Sequence, residues 1–256
     1  MVVVAQLRHH DAMDPETPKA AELSLPQAFL LLATNDQDGK PAVPVFALRT
    51  ALAGAVLAEL ELCGAIELQG KRVRVTDSPA STSVEHELEL IRGKSRPHSP
   101  KRWVSMLEGK AEVQRVYDGM VARGLVEQIG EKHLGVFRSI RYPEKDHGPE
   151  AALLQKIGAA LSTVLPASAE PAPGGSDVPS PDVPAAPGAA PAAAEAPDAR
   201  TTALIALLQA AGLLGKLFPA VDKVRADELA KDYWPARAVE DELRLIRLAK
   251  EEAPAV

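Results

Sequence analysis

Ala203 to Leu214 is the segment that most constrains the fold. It is the longest nearly apolar stretch of the chain, and a helix over Arg200–Leu214 carries Ala203, Leu204, Ile205, Leu207, Leu208 and Leu213 around every side. A helix without a polar face is stable only inside a larger core. Yet the segment opens a tail, residues 200–252, that is too small to supply that core alone. Upstream, residues 166–199 hold nine of the chain's 22 prolines among many alanines, with almost nothing large and apolar. Such a stretch cannot bury enough surface to offset its backbone entropy, and it reads as a disordered, extended spacer. The tail must therefore reach back across the spacer and dock on the body, residues 23–165. The expected organisation is a flexible leader at 1–22 and a single domain over 23–252, interrupted by a disordered Pro/Ala-rich insertion at 166–199.

Within the body, Ser24 and Pro26 open a helix whose apolar stretch is Ala28 to Leu32. The run Asn35-Asp36-Gln37-Asp38-Gly39-Lys40 reads as a tight turn. A second helix is predicted over Ala47 to Leu62, where Leu48, Leu52, Val56 and Leu60 recur every four residues, and Gly64 ends it. Ile66 to Leu68 and Val73 to Val75 then flank a turn at Gln69-Gly70-Lys71 as a short hairpin. The pattern returns sixty residues later: a helix from Val113 to Ala122, a stop at Gly124, a strand from Leu125, a turn at Gly130, and a returning strand through Val136 and Phe137. Two such helix–hairpin units form a winged-helix-like internal repeat. Between them fall a short helix from Glu85 to Ile91 and another opening near Pro100, with Trp103 as a core anchor. The chain is thus expected to be mainly helical with two short β-hairpins.

Charge and motif content remove several functions. Basic residues number 29 against 35 acidic, a net charge of −6, so the chain is no globally basic nucleic-acid binder. The one strongly basic block is 92–115, with seven Lys or Arg against Glu108 and Glu112. A single cysteine, Cys63, rules out a disulfide framework and a cysteine-based zinc site, and suits a reducing cytoplasm. No stretch approaches the roughly 20 apolar residues of a transmembrane helix, and the N-terminus lacks an export signal, so a cytoplasmic location is expected. Gly64-x5-Gly70-Lys71 has one residue too many for a phosphate loop, and Arg72 stands where Ser or Thr is needed. His86-Glu87 lacks the second histidine of a zinc protease helix, Leu90 taking its place, and reads as a solvated acidic helix face. His9, His10 and Asp11 sit in the leader, where nothing would orient them around a metal. No nucleophile elbow or dinucleotide fingerprint appears. No enzyme activity, cofactor or metal is expected.

Several segments together resemble the Golgi phosphoprotein 3 family, especially its shorter bacterial members. They are Leu23 to Lys40, Ala51 to Leu68, Ser99-Pro-Lys-Arg-Trp-Val104, Arg141-Tyr-Pro-Glu144, and Thr201 to Phe218. The likeness runs from about 23 to 250, skipping the spacer, and rests on order and spacing. It implies a bundle of apolar helices wrapped by amphipathic ones. It also implies a peripheral membrane protein that binds phosphatidylinositol 4-phosphate and acts as an adaptor with protein clients. In the family's lipid pocket a tryptophan, a helix arginine and a pair of basic residues one turn apart would fall near Pro44, Ala53, and Lys110 with Val113. Only Lys110 keeps its charge. Arg49, one turn before Ala53, and Arg115, beside Val113, offer a relocated pocket. The resemblance thus implies Arg49, Lys110 and Arg115 as the residues that bind an anionic headgroup.

A bottom-up feature agrees. The second hairpin carries Leu134, Val136 and Phe137 near its tip beside Lys132 and His133, a pattern suited to contact with an anionic bilayer. The sequence reading is therefore a cytoplasmic, peripherally membrane-associated protein whose partner is a phosphoinositide-like anionic lipid. The alternatives are a protein-interaction scaffold, whose basic block meets an acidic partner, and a winged-helix-like nucleic-acid binder. The last is disfavoured because its recognition helix would offer Gln114 and Arg115 but then Asp118, which repels phosphate.

Overall fold

Two helices with almost no polar face, α2 (Val45–Leu62) and α7 (Ala199–Ala210), meet at the centre of the molecule. The computed structural model describes residues 22–77, 82–133, 136–162, 197–221 and 223–251, without the side chains of 131–139. α1 (Leu25–Leu32) packs on both central helices. α10 (Trp234–Glu251) lies along α2, α4 and α7, where α4 is Pro100–Leu107. Gly54 permits that approach, because a Cβ there would fall 2.2 Å from Val239 Cγ2. The remaining helices among the described residues are α3 (Glu85–Arg92), α5 (Lys110–Ala122), α6 (Gly148–Ser162), α8 (Leu214–Leu217) and α9 (Lys223–Ala230). The architecture is mainly helical, with two antiparallel hairpins, β1–β2 (Ile66–Gln69, Arg72–Val75) and β3–β4 (Ile129–His133, Val136–Arg141).

The tail meets the body through apolar burial fixed by two polar anchors on carboxyl groups of α2. Leu204, Ile205, Leu207 and Leu208 are buried, as a helix without a polar face requires. Arg200 donates to the buried carboxylate of Glu59 at 2.8 and 3.2 Å, and the backbone N–H of Leu25 reaches the same carboxylate at 2.7 Å. Two residues further along α2, the indole N–H of Trp234 donates to Glu61. Residues 1–21 of the expected leader and 163–196, which include nearly all of the expected insertion, lie outside the described residues. Asp198, near the insertion's end, caps α7 by accepting the Thr201 N–H at 2.8 Å.

Glycine sets where three helices end. After α2 and α5, Gly64 and Gly124 adopt φ of +71° and +72°, and each C-terminus closes with the same paired bonds. Gly64 and Ala65 donate to the carbonyls of Glu61 and Leu60, and Gly124 and Leu125 to those of Val121 and Met120. Gly212 ends α7 the same way, so the helix predicted to reach Leu214 stops at Ala210 and a separate short turn follows.

The expected repeat holds to this point and then diverges. Gly70 occupies the first hairpin's turn with φ +60°, but Gly130 lies within β3 opposite Ile140. Val126 makes only an isolated bridge to Glu144, so the second strand begins at Ile129 rather than Leu125. Trp103 is buried as expected, with the His98 ring edge-on at 5.5 Å. Glu87 departs from expectation: instead of facing solvent, it is 1% exposed.

Candidate functional site

A cleft of about 280 Å³ opens where the first turns of α2 and α5 meet the end of β4 and the turn after α1. Its base is a pair of parallel tyrosine rings, Tyr117 and Tyr142, with centroids 3.9 Å apart and planes 4° from parallel. The Tyr117 hydroxyl shares a 2.7 Å hydrogen bond with Thr34, whose own hydroxyl donates to the Leu30 carbonyl at 2.6 Å. Burial pushes the Tyr117 phenol up to about 12, so it stays protonated. Tyr142 is held at both ends: its backbone N–H donates to the Gly39 carbonyl at 3.0 Å, and its hydroxyl meets the Gln114 amide at 2.8 Å. Gly39 has φ +63°, and a Cβ there would lie 2.5 Å from the Pro143 nitrogen. Only glycine lets the Asn35–Lys40 turn wall the cleft this closely.

Two cations face this rigid base. Arg49 comes from the second turn of α2 and Lys110 from the first residue of α5. Among the described residues neither makes a hydrogen bond or ion pair, although the charge of Arg49 reaches Glu108. Glu108 is itself occupied, accepting the Thr50 hydroxyl at 2.7 Å, and burial raises its pKa. The rim is apolar: Val45 is 53% exposed and Ile140 45%.

The expected site residues therefore separate. Arg49 and Lys110 share the cleft, and Val113, the other position of the basic pair, lines it beside them. Arg115 does not line it. Its guanidinium pairs with the buried carboxylates of Glu87 and Glu112, reaching the latter at 2.6 Å. Pro44 caps α2 at the rim next to Val45, whereas Ala53 is fully buried in the bundle. An arginine at 53 would point into the core, and Arg49, one turn earlier, is the residue that opens to solvent. Leu134 lies outside the described residues. Val136 and Phe137 are on the backbone of β4, with side chains outside them. Tyr117, Tyr142 and Ile140 went unread in the sequence as site residues, and Gln114 was read only as part of a disfavoured recognition helix. Tyr142 alone left a signal, as the aromatic residue within Arg141-Tyr-Pro-Glu144.

A second polar cluster lies on the far side of the same turn. Ligand atoms of Asp36, Glu144 and His147 lie within 4.8 Å of one another, with Glu150 against the group. Burial, then the charges of Asp36 and Glu144, push Glu150 up to about 8, and burial also raises Glu144.

No individually curated protein sequence matches the chain. The family description Golgi phosphoprotein 3 (GPP34) matches residues 25–246, from the first residue of α1 well into α10. That span takes in the cleft, the hairpins and the helices on both sides of the proline-rich segment. The chain belongs to the Golgi phosphoprotein 3 (GPP34) family.

Proposed function

We propose that this protein is a peripheral membrane-binding protein rather than an enzyme, and that the cleft receives the headgroup of an anionic phospholipid. Family membership makes phosphatidylinositol 4-phosphate the first candidate. The observation that carries this reading is the convergence of two cations, Arg49 and Lys110, from distant parts of the chain on one cleft with an exposed apolar rim, neither side chain making a hydrogen bond or ion pair among the described residues. A phosphomonoester on an inositol ring offers the charge for both cations, and the Gln114 and Tyr142 tips suit its hydroxyls. Val45 and Ile140 stand where a bound headgroup's acyl chains would begin. No described helix is long and apolar enough to cross a membrane, so attachment at the surface is the mode that fits.

Each cation near an anionic surface contributes roughly 1 kcal/mol. Burying a half-exposed Val or Ile adds about as much. The sum is modest, as expected of a reversible peripheral contact, and protein clients would add to it. Flotation with vesicles of neutral lipid, of phosphatidylserine, and of a small fraction of phosphatidylinositol 4-phosphate tests the proposal. Selective flotation with the phosphoinositide, lost in the Arg49→Glu/Lys110→Glu variant, is the expected result. Phosphoinositide flotation unchanged in that variant would remove the cleft as the site.

A further inference from the structure

The turn that walls the cleft presents its other face to a set of groups that the headgroup reading leaves unused. Asp36 comes from the turn, Glu144 and His147 from the connection after β4, and Glu150 from the first turn of α6. Backbone bonds fix the centre of the set. The Pro143 carbonyl accepts from Glu127 at 2.9 Å, and Lys145 donates to the Leu125 carbonyl at 2.9 Å, so Glu144 is clamped from both sides. Its side chain is only 3% exposed. One carboxylate oxygen lies 2.5 Å from His147 Nδ1, while the other, Oε1, is buried and meets no N–H or hydroxyl donor; the neighbouring carboxyl of Glu150 can bond to Glu144 only by keeping a proton. An unpartnered buried carboxylate oxygen costs stability unless a cation or a proton meets it. Around it lie the Asp36 carboxylate and the His147 imidazole, with the Glu150 carboxyl against the group, from segments more than a hundred residues apart.

We propose that Asp36, Glu144, His147 and Glu150 bind one divalent transition-metal ion of the Zn²⁺ or Mn²⁺ type. The donor set selects the class. Calcium takes six to eight oxygen ligands, and magnesium keeps most of its waters, whereas an imidazole among carboxylates suits zinc or manganese. His147 is 71% exposed and Asp36 is exposed, which leaves the ion a path from solvent. The bound ion rivets the Asn35–Lys40 turn to α6 and so braces the wall of the cleft from behind. The site does not depend on what occupies the cleft.

Calorimetric titration of the full chain with Zn²⁺ and Mn²⁺, beside Mg²⁺ and Ca²⁺, tests it. His9 and His10 are adjacent imidazoles elsewhere in the sequence, so a His9→Ala/His10→Ala variant runs in parallel as the control. The expected result is one equivalent of Zn²⁺ or Mn²⁺ bound equally by wild type and leader variant, with a raised melting temperature. Asp36→Asn and His147→Ala change exposed groups and should leave the metal-free fold intact. Each should weaken binding by about 10- to 100-fold, as loss of a metal-site group does. Several outcomes would overturn the site: no binding by wild type, binding abolished in the leader variant, or binding unaltered in Asp36→Asn and His147→Ala. The first of these would mean that a proton shared between Glu144 and Glu150 occupies the space instead.

Discussion

The two faces of α5 put similar cations to opposite uses. Lys110 and Arg115 are five residues apart, about 140° around the helix axis. Lys110 shares the cleft with Arg49, and neither side chain makes a hydrogen bond or ion pair among the described residues. Arg115 faces α3, where it pairs with Glu87, and it also pairs with Glu112 one turn back on its own helix, the two being 1% and 7% exposed. One face carries charge that no described side chain pairs with, the charge on which the headgroup proposal rests. The other carries charge consumed by the fold. A basic residue therefore has to be judged by the carboxylates within its reach, not by its place in a basic block.

The sharpest way to break this comparison is Arg115→Ala. It would strand two buried carboxylates, and unmaking a buried pair typically costs roughly 3–5 kcal/mol. Because Arg115 is itself 44% exposed, the expected loss is near the lower end, about 3 kcal/mol in urea unfolding. If the variant keeps its stability but no longer floats with phosphoinositide vesicles, the two faces are one site and the division is wrong. Arg49→Glu/Lys110→Glu should behave in the opposite way. Surface changes away from packed features stay within about 0.5 kcal/mol of wild type, while each charge reversal near an anionic membrane costs upward of about 1 kcal/mol in binding. A melting temperature as low as that of Arg115→Ala would show that these two cations also serve the fold.

Much of the fold could be read from local signals. The absence of a polar face on α7 required the tail to pack on the body, and Leu204, Ile205, Leu207 and Leu208 are buried there. Gly64 and Gly124 marked helix ends because a left-handed residue at that place is nearly a glycine privilege. The second hairpin was misread because its likeness to the first lay in spacing alone. Nothing local says that Val126 bridges to Glu144 instead of entering a strand. The site was legible in part for the same reason. Lys110 stands at a family pocket position and Arg49 one turn before another, but their meeting over the Tyr117–Tyr142 stack is not contained in that spacing. That stack joins residues from two elements, as does the ion pair that removes Arg115, so both are tertiary facts. Glu87 looked like one more solvated acid on an acidic helix, and only the approach of α5 turns it into a buried partner.

The smallest expected effect probes the closed face by pH. Glu112 has one carboxylate oxygen buried without a hydrogen-bond partner, and burial first, then Glu87, pushes its pKa up to about 7. A carboxyl whose pKa rises on folding stabilises the fold only while protonated. Its contribution is whole below about 4.5, the ordinary value, and is lost as the pH climbs through about 7. Glu112→Gln keeps an oxygen for Arg115, gains an N–H for Glu87, and removes the charge that appears above neutrality. It should match wild type near pH 5 and exceed it near pH 8 by about 1 kcal/mol, or about 2–4 °C in melting temperature. The modest size follows from the exposed side of Arg115, where water screens the carboxylates. A difference between variant and wild type that stays flat from pH 5 to pH 8 would mean that Arg115 alone keeps both carboxylates ionised. The closed face would then be an ion triad with no proton in it.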